Sequence, residues 1–174
     1  PLTAFEIWQY LPVAATLTDV EKALENPAPL EKRDGFFFLP GRAEIIAKRR
    51  ERYLATDRKI KKAAWQLRIF SWLPWIRLIA LANNIGTHNL RTGGDTDLFI
   101  VTKRSRLWLT KVCATAILKL TNLRPTAKRT ADKFCLSFLV DDSALDLSAF
   151  RLEGDLYFTY WLAGLVPLYG RPET

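Results

Sequence analysis

Leu90-Arg91-Thr92-Gly93-Gly94-Asp95-Thr96-Asp97-Leu98-Phe99-Ile100-Val101-Thr102 contains a glycine pair, then two acids one residue apart, then an uninterrupted run of strand formers. The glycines let the chain turn sharply into the strand. Side chains alternate faces along a strand, so Asp95 and Asp97 are expected to point the same way and Thr96 the other. Two carboxylates on one face repel each other unless a cation sits between them, and Mg²⁺ is commonly held by one or two carboxylates together with phosphate oxygens. The same residues also read as a plain Gly-Asp turn followed by a solvated edge acid, and the pattern alone leaves both readings open.

The chain has 174 residues and is 49% hydrophobic, enough to bury a core in one or two small domains and to argue against disorder. Cys113 falls in a helical pattern and Cys135 in a strand pattern, with neither metal-ligand nor disulfide-framework spacing, so buried reduced thiols are expected. The longest apolar runs, 69–82 and 156–169, are about 14 residues each and contain proline, too short to span a bilayer. No secretory signal opens the chain. The reading is cytoplasmic, with no membrane partner. A sequence that lacks Met and begins at Pro1 reads as a piece of something longer.

The net charge of +8 is unevenly spread. Residues 1–41 hold three bases and six acids, 42–69 hold ten and three, and 70–174 hold thirteen and nine. Concentrated positive potential suits a phosphate-rich partner, although a solvated helix face has the same composition.

Thr3 and Glu6 form a capping box for a first helix with Phe5, Trp8 and Leu11 on one face. Pro12 ends it, and Thr18-Asp19-Val20-Glu21 reads as the box of a second helix carrying Val20, Ala23 and Leu24. Residues 30–33 and 36–39 flank Asp34-Gly35, the signal for a tight hairpin. Helix, helix, hairpin is the order of a winged helix, here lacking its first helix. Its second helix offers Asp19, Glu21 and Glu25 against Lys22, a charge balance that argues against DNA binding.

Residues 42–70 have no Pro or Gly and read as one long basic helix with Ile46, Tyr53, Ile60 and Leu67 seven apart, reinforced by Ala63 and Ala64. Residues 76–82 read as a buried strand and 105–122 as a helix. In that helix Trp108-Val112-Ala116-Leu120 and Leu109-Cys113-Ile117 are expected inside, with Lys111, Thr115, Lys119 and Asn122 facing out. Residues 134–140 read as a third strand, and 155–165 as a helix apolar on nearly every side, expected to be covered. His88, the sole histidine, lies in a polar loop and reads as a surface residue.

Three groups of residues carry a resemblance. They are 95–102 with Arg106-Leu107-Trp108-Leu109-Thr110; Pro1-Leu2-Thr3 and Phe5-Glu6-Ile7-Trp8 with 35–39 and Gly41-Arg42; and Asp155-Leu156-Tyr157 with Pro167-Leu168-Tyr169-Gly170. Together they resemble a group of bacterial nucleotidyltransferase-domain proteins of the DNA polymerase β-like superfamily, over nearly the whole chain. The resemblance implies an α/β (α+β) chain: a winged-helix segment over 1–41, a long basic connecting helix over 42–72, and a core over 73–174 built on a short mixed sheet backed by helices. It also implies a reaction in which Mg²⁺ (or Mn²⁺) ions held by acids clamp a nucleoside triphosphate while an acceptor hydroxyl attacks the α-phosphate. Asp95 and Asp97 match the metal-binding pair, and Arg104 and Arg106 are candidates to hold the leaving phosphates. Two positions depart from the pattern. Asn83-Asn84 stand where the superfamily has Gly-Ser against the triphosphate, and the third strand has no acid, which makes Asp141 the first candidate for the third carboxylate and Asp142 the second. The implied activity is nucleotidyl transfer to an unnamed acceptor (nucleic acid, protein or small molecule). The alternatives are a catalytically degenerate relative that binds nucleotide or a partner, and a winged-helix DNA-binding protein.

Overall fold

A computed structural model gives the placement of residues 1–90 and 93–171, the Asn84 side chain excepted. The chain divides into two compact units, Pro1–Glu51 and Arg52–Thr174. The break falls inside a long helix rather than at either of its ends.

The first unit contains α1 (Ala4–Gln9), α2 (Leu17–Ala23) and the hairpin β1 (Glu31–Arg33) and β2 (Phe36–Phe38). Thr3 and Glu6 close the expected capping box on α1. On α2 the box lies earlier than expected: Thr16 is the N-cap and Asp19 its partner, so Thr18 is already helical. Asp34 and Gly35 both take positive φ, 54° and 79°, as a two-residue hairpin turn that matches the strand twist requires. Val20, Phe37, Phe38 and Ile46 are the buried apolar residues here. Arg49, only 6% exposed, pairs with Glu6, so this base of the long helix is an internal tie and not part of a solvated face.

α3 (Ile45–Gln66) continues as a 3-10 turn over Leu67–Trp72. Ile46, Ala63 and Leu67 of the expected stripe are buried, whereas Tyr53 and Ala64 are exposed. Tyr53 stacks on His88, with ring centroids 4.7 Å apart.

The second unit is built on a mixed sheet of order β5-β4-β3-β6, comprising β3 (Ile76–Leu81), β4 (Thr96–Thr102), β5 (Phe134–Asp141) and β6 (Val166–Gly170). β3 runs antiparallel to β4 and β6, and β4 runs parallel to β5. Sequence reading does not resolve β6, because Pro167 and Gly170 count against a strand; Pro167 is tolerated because β6 lies at the sheet edge.

One face of this sheet presents Ile79, Leu81, Leu98, Ile100 and Phe134 to Ala63, Leu67 and Phe70 and to Ala114 and Leu118 of α4 (Leu107–Leu120). The other presents Ala80, Ala82, Phe99, Val101 and Val140 to Leu147 and to Phe158, Trp161 and Leu162 of α5 (Leu156–Ala163). α4 is turned relative to expectation. Its buried ridge is Thr110-Ala114-Leu118, while Trp108, Val112 and Leu120 are exposed. Small residues let the helix approach the sheet closely, and the buried Thr110 hydroxyl is satisfied by donating to the Arg106 carbonyl at 2.8 Å. α5 is not fully covered: Leu156 and Tyr157 are exposed.

β5 carries one extra residue against β4. Asp97 pairs with Cys135, but Phe99 pairs with Phe138. This bulge breaks the strict alternation of β5: Leu136 and Leu139 pack toward α3 and α4, whereas Phe138 and Val140 pack toward α5.

Candidate functional site

Asp97 shares a face of β4 with Phe99 and Val101, and Asp95 stands just before the strand. The carboxylate oxygens of Asp95 and Asp97 and the Cys135 sulfur all lie within 4.8 Å of one another, and all three residues are half-buried. Cys135 is there because β4 and β5 are parallel and start together: it pairs directly with Asp97, and the Thr96 N–H donates to the Lys133 carbonyl at 2.8 Å.

Neutral donors hold Asp97. The Asn83 side-chain amide donates to its Oδ2 and the Ser137 hydroxyl to its Oδ1. Asn83 is itself fixed by the Trp161 indole N–H, which donates to Asn83 Oδ1 at 2.9 Å and so links α5 to the acid. The Ala82 N–H donates to the Asp97 carbonyl at 2.9 Å, drawing the end of β3 alongside. Asn83 has φ of 63°, in the left-handed region where glycine is the usual occupant and Asn among the best tolerated of the others. The position thus keeps the backbone conformation open to glycine while adding an amide that glycine lacks. The Asn84 side chain, like Arg91 and Thr92, lies outside the described residues.

The glycine turn is tied from two sides. Lys59 Nζ donates to the Gly94 carbonyl at 2.9 Å, and the Thr130 hydroxyl donates to the Gly93 carbonyl at 3.1 Å. Lys62 pairs with Asp132 at 2.8 Å and Lys59 approaches the same carboxylate at 3.9 Å. The Asp132 carboxyl is held below its usual range, chiefly by the hydrogen bond from Lys62, with burial opposing and the charges of Lys62, Lys59 and Lys133 assisting.

Asp141 is not part of this group. It pairs with Thr102, five residues along β4 from Asp97, or about 17 Å at the rise of a strand. The bulge also turns it to the other face, that of Leu98 and Ile100, because a one-residue slip exchanges faces. Its carboxylate accepts from the Ser143 N–H at 3.1 Å and the Ser143 hydroxyl at 2.6 Å. These bonds, the hydroxyl's first, hold its pKa below the usual range. Asp142 is at the same distant end, with its carboxylate accepting from the Arg104 N–H at 2.8 Å and facing Arg77 at 3.4 Å. Arg104 and Arg106 follow the C-terminal end of β4 and are also remote from the acid pair; Arg106 serves as the N-cap residue of α4.

Sequence reasoning therefore missed Cys135, Ser137 and Trp161. A signal for the first two was present. A strand-helix-strand crossover gives parallel strands, so the start of β5, not its end, neighbours the start of β4.

Two hard carboxylates within reach of one another fit a single divalent cation whose remaining positions are filled by water or phosphate oxygens. The third donor is a thiol, a soft ligand that suits Zn²⁺ better than Mg²⁺. The expected third carboxylate, Asp141, is at the opposite end of the strand, so it offers no ligand to a second ion beside Asp95 and Asp97. No family model, no curated protein and no solved structure matches the chain.

Proposed function

We infer that the second unit carries a nucleotidyltransferase-type site that binds a nucleoside triphosphate through one divalent cation at Asp95 and Asp97. The observation that supports this most directly is the convergence of these two carboxylates on one half-buried point at the end of the sheet. Asp95 and Asp97 hold the cation, while Asn83 and Ser137 fix the orientation of Asp97. A cation held there would neutralise phosphate oxygens and favour attack at the α-phosphorus. The acceptor hydroxyl oxygen forms the new bond to that phosphorus, the bond to the pyrophosphate oxygen breaks, and the hydroxyl proton leaves to water. With one cation in place of two, transfer is slow.

The test is pyrophosphate release on incubation with Mg²⁺ or Mn²⁺, nucleoside triphosphates and a mixture of RNA, protein and small-molecule acceptors. Slow release abolished by Asp95→Asn is expected. A second reading, a relative that binds nucleotide without turnover, is favoured by the remoteness of Asp141. Metal-dependent binding with no release would establish it in place of the first.

A further inference from the structure

From Arg58 to Ala131 the chain holds fifteen bases, and its only acids are Asp95 and Asp97. Much of this stretch forms the helical cover on one face of the sheet: α3 beyond Asp57, the 3-10 turn and α4. Three of the six tryptophans are exposed, and all three are on these elements: Trp65 (73%), Trp72 (86%) and Trp108 (72%). An indole in water is an unfavourable use of a large apolar group, and pairing it with bases in the absence of acids narrows the purpose. Lys111 already lies over the Trp108 ring, its Nζ 5.1 Å from the centroid. Trp65, Ile69 and Arg68 also line a groove of about 460 Å³ closed on its other side by Thr121 and Leu123, just beyond α4.

We propose that this face binds single-stranded nucleic acid, with bases stacked on Trp65, Trp72 and Trp108 and phosphates neutralised by Arg68, Lys111 and Lys119. Stacking indoles interleaved with cations are what sequence-tolerant single-strand binding uses, because every base has a flat face and every linkage a charge. Exposed aliphatic residues do not single out this face, since Leu145, Leu152 and Leu156 are exposed elsewhere. Lys59, Lys61 and Lys62 pair with Asp132 and Asp57, so what is confined to this face is the combination of indoles with Arg68, Lys111 and Lys119, which make no ion pair among the described residues and complement a polyanion. The basic stretch continues through Arg124, Lys128 and Arg129 to Thr130, whose hydroxyl touches the Gly93 turn. The proposal goes beyond the nucleotide site and does not require it to be active.

The experiment is fluorescence anisotropy with labelled oligouridylate of about twenty nucleotides, with metal and triphosphate omitted, on the wild-type chain and on Asp95→Asn. Both should bind equally. Three phosphate contacts would lower affinity roughly twentyfold between about 50 and 200 mM salt. Trp65→Ala, Trp72→Ala and Trp108→Ala should each weaken binding by roughly five- to a hundredfold, with recovery in the Trp→Phe variants. These side chains are exposed, so folding is retained, which circular dichroism checks. Leu120→Ala should leave oligonucleotide affinity unchanged. Absence of binding, binding unaffected by all three indole replacements, or binding only to phosphatidylcholine–phosphatidylserine vesicles weakened by Leu120→Ala would overturn the proposal. Because Asp95→Asn is measured in parallel, failure here is separable from failure of the nucleotide site.

Discussion

On one face of the four-stranded sheet, α3 and α4 cover the core with small buried residues and send indoles and lysines outward; α4 has no acid at all. On the other face, α5 and the segment before it do the reverse. Residues 141–157 hold five acids and one base, and Trp161 there is turned inward to the sheet and to Asn83. Both faces bury aliphatic and aromatic side chains, the α3–α4 face the larger set, so apolar character alone does not distinguish them. The difference lies in what each does with charge and with tryptophan. One face is prepared for a polyanion, and the other supports an acid through an indole–amide relay.

The largest expected effect comes from disturbing the α5 face. A Cβ at Gly86 would lie 2.2 Å from the Gly164 carbonyl oxygen, which is backbone and cannot rotate away. Gly86→Ala should therefore cost about 1–3 kcal/mol, as overpacking does, and should pull the Asn83 turn off α5. Gly94→Ala, where a Cβ meets nothing within 4 Å, is the matched control and should be nearly neutral. Urea unfolding of both variants checks this, and equal stabilities would contradict the close approach of α5 to the Asn83 turn.

A smaller effect is expected on the helix face. Asp132 has a lowered pKa in the fold, mainly through its hydrogen bond from Lys62, so its contribution is present above the unfolded value of about 3.9 and is lost as pH falls through the folded value. The pair is substantially exposed, which limits its worth to less than about 1 kcal/mol. Asp132→Asn should lower stability by that amount near neutral pH and by progressively less in acid. A stability gap that widened below about pH 4 would reverse the sign and sink this reading.

The α+β class, the long helix and the Asp34-Gly35 hairpin are legible in the sequence because each rests on a local signal, a turn dipeptide or an unbroken periodic run, whereas the mixed sheet is expected only from the resemblance. Three failures have one physical origin, that a local pattern cannot report what lies across from it. α4 is apolar nearly all round, so its period does not say which stripe is buried; close packing selects the Thr110-Ala114-Leu118 ridge over the larger Trp108 stripe. The bulge in β5 is a property of the pairing with β4, and it alone moves Asp141 to the wrong face. The side-chain donors to Asp97 come from β5 and from just beyond β3, residues 40 and 14 positions away in the sequence, and the α5 indole that fixes Asn83 is 78 positions from it. The acid pair itself is legible because both members lie at the start of one strand.

The most direct test of the account is a calorimetric titration of a nucleoside triphosphate into the protein with and without Mn²⁺, on wild type and Asp97→Asn. The account predicts that Mn²⁺ tightens binding at least about tenfold, equivalent to 1.4 kcal/mol, and that Asp97→Asn removes the whole of that gain. Equal affinity with and without the metal, or a metal-dependent gain that survives Asp97→Asn, would contradict it.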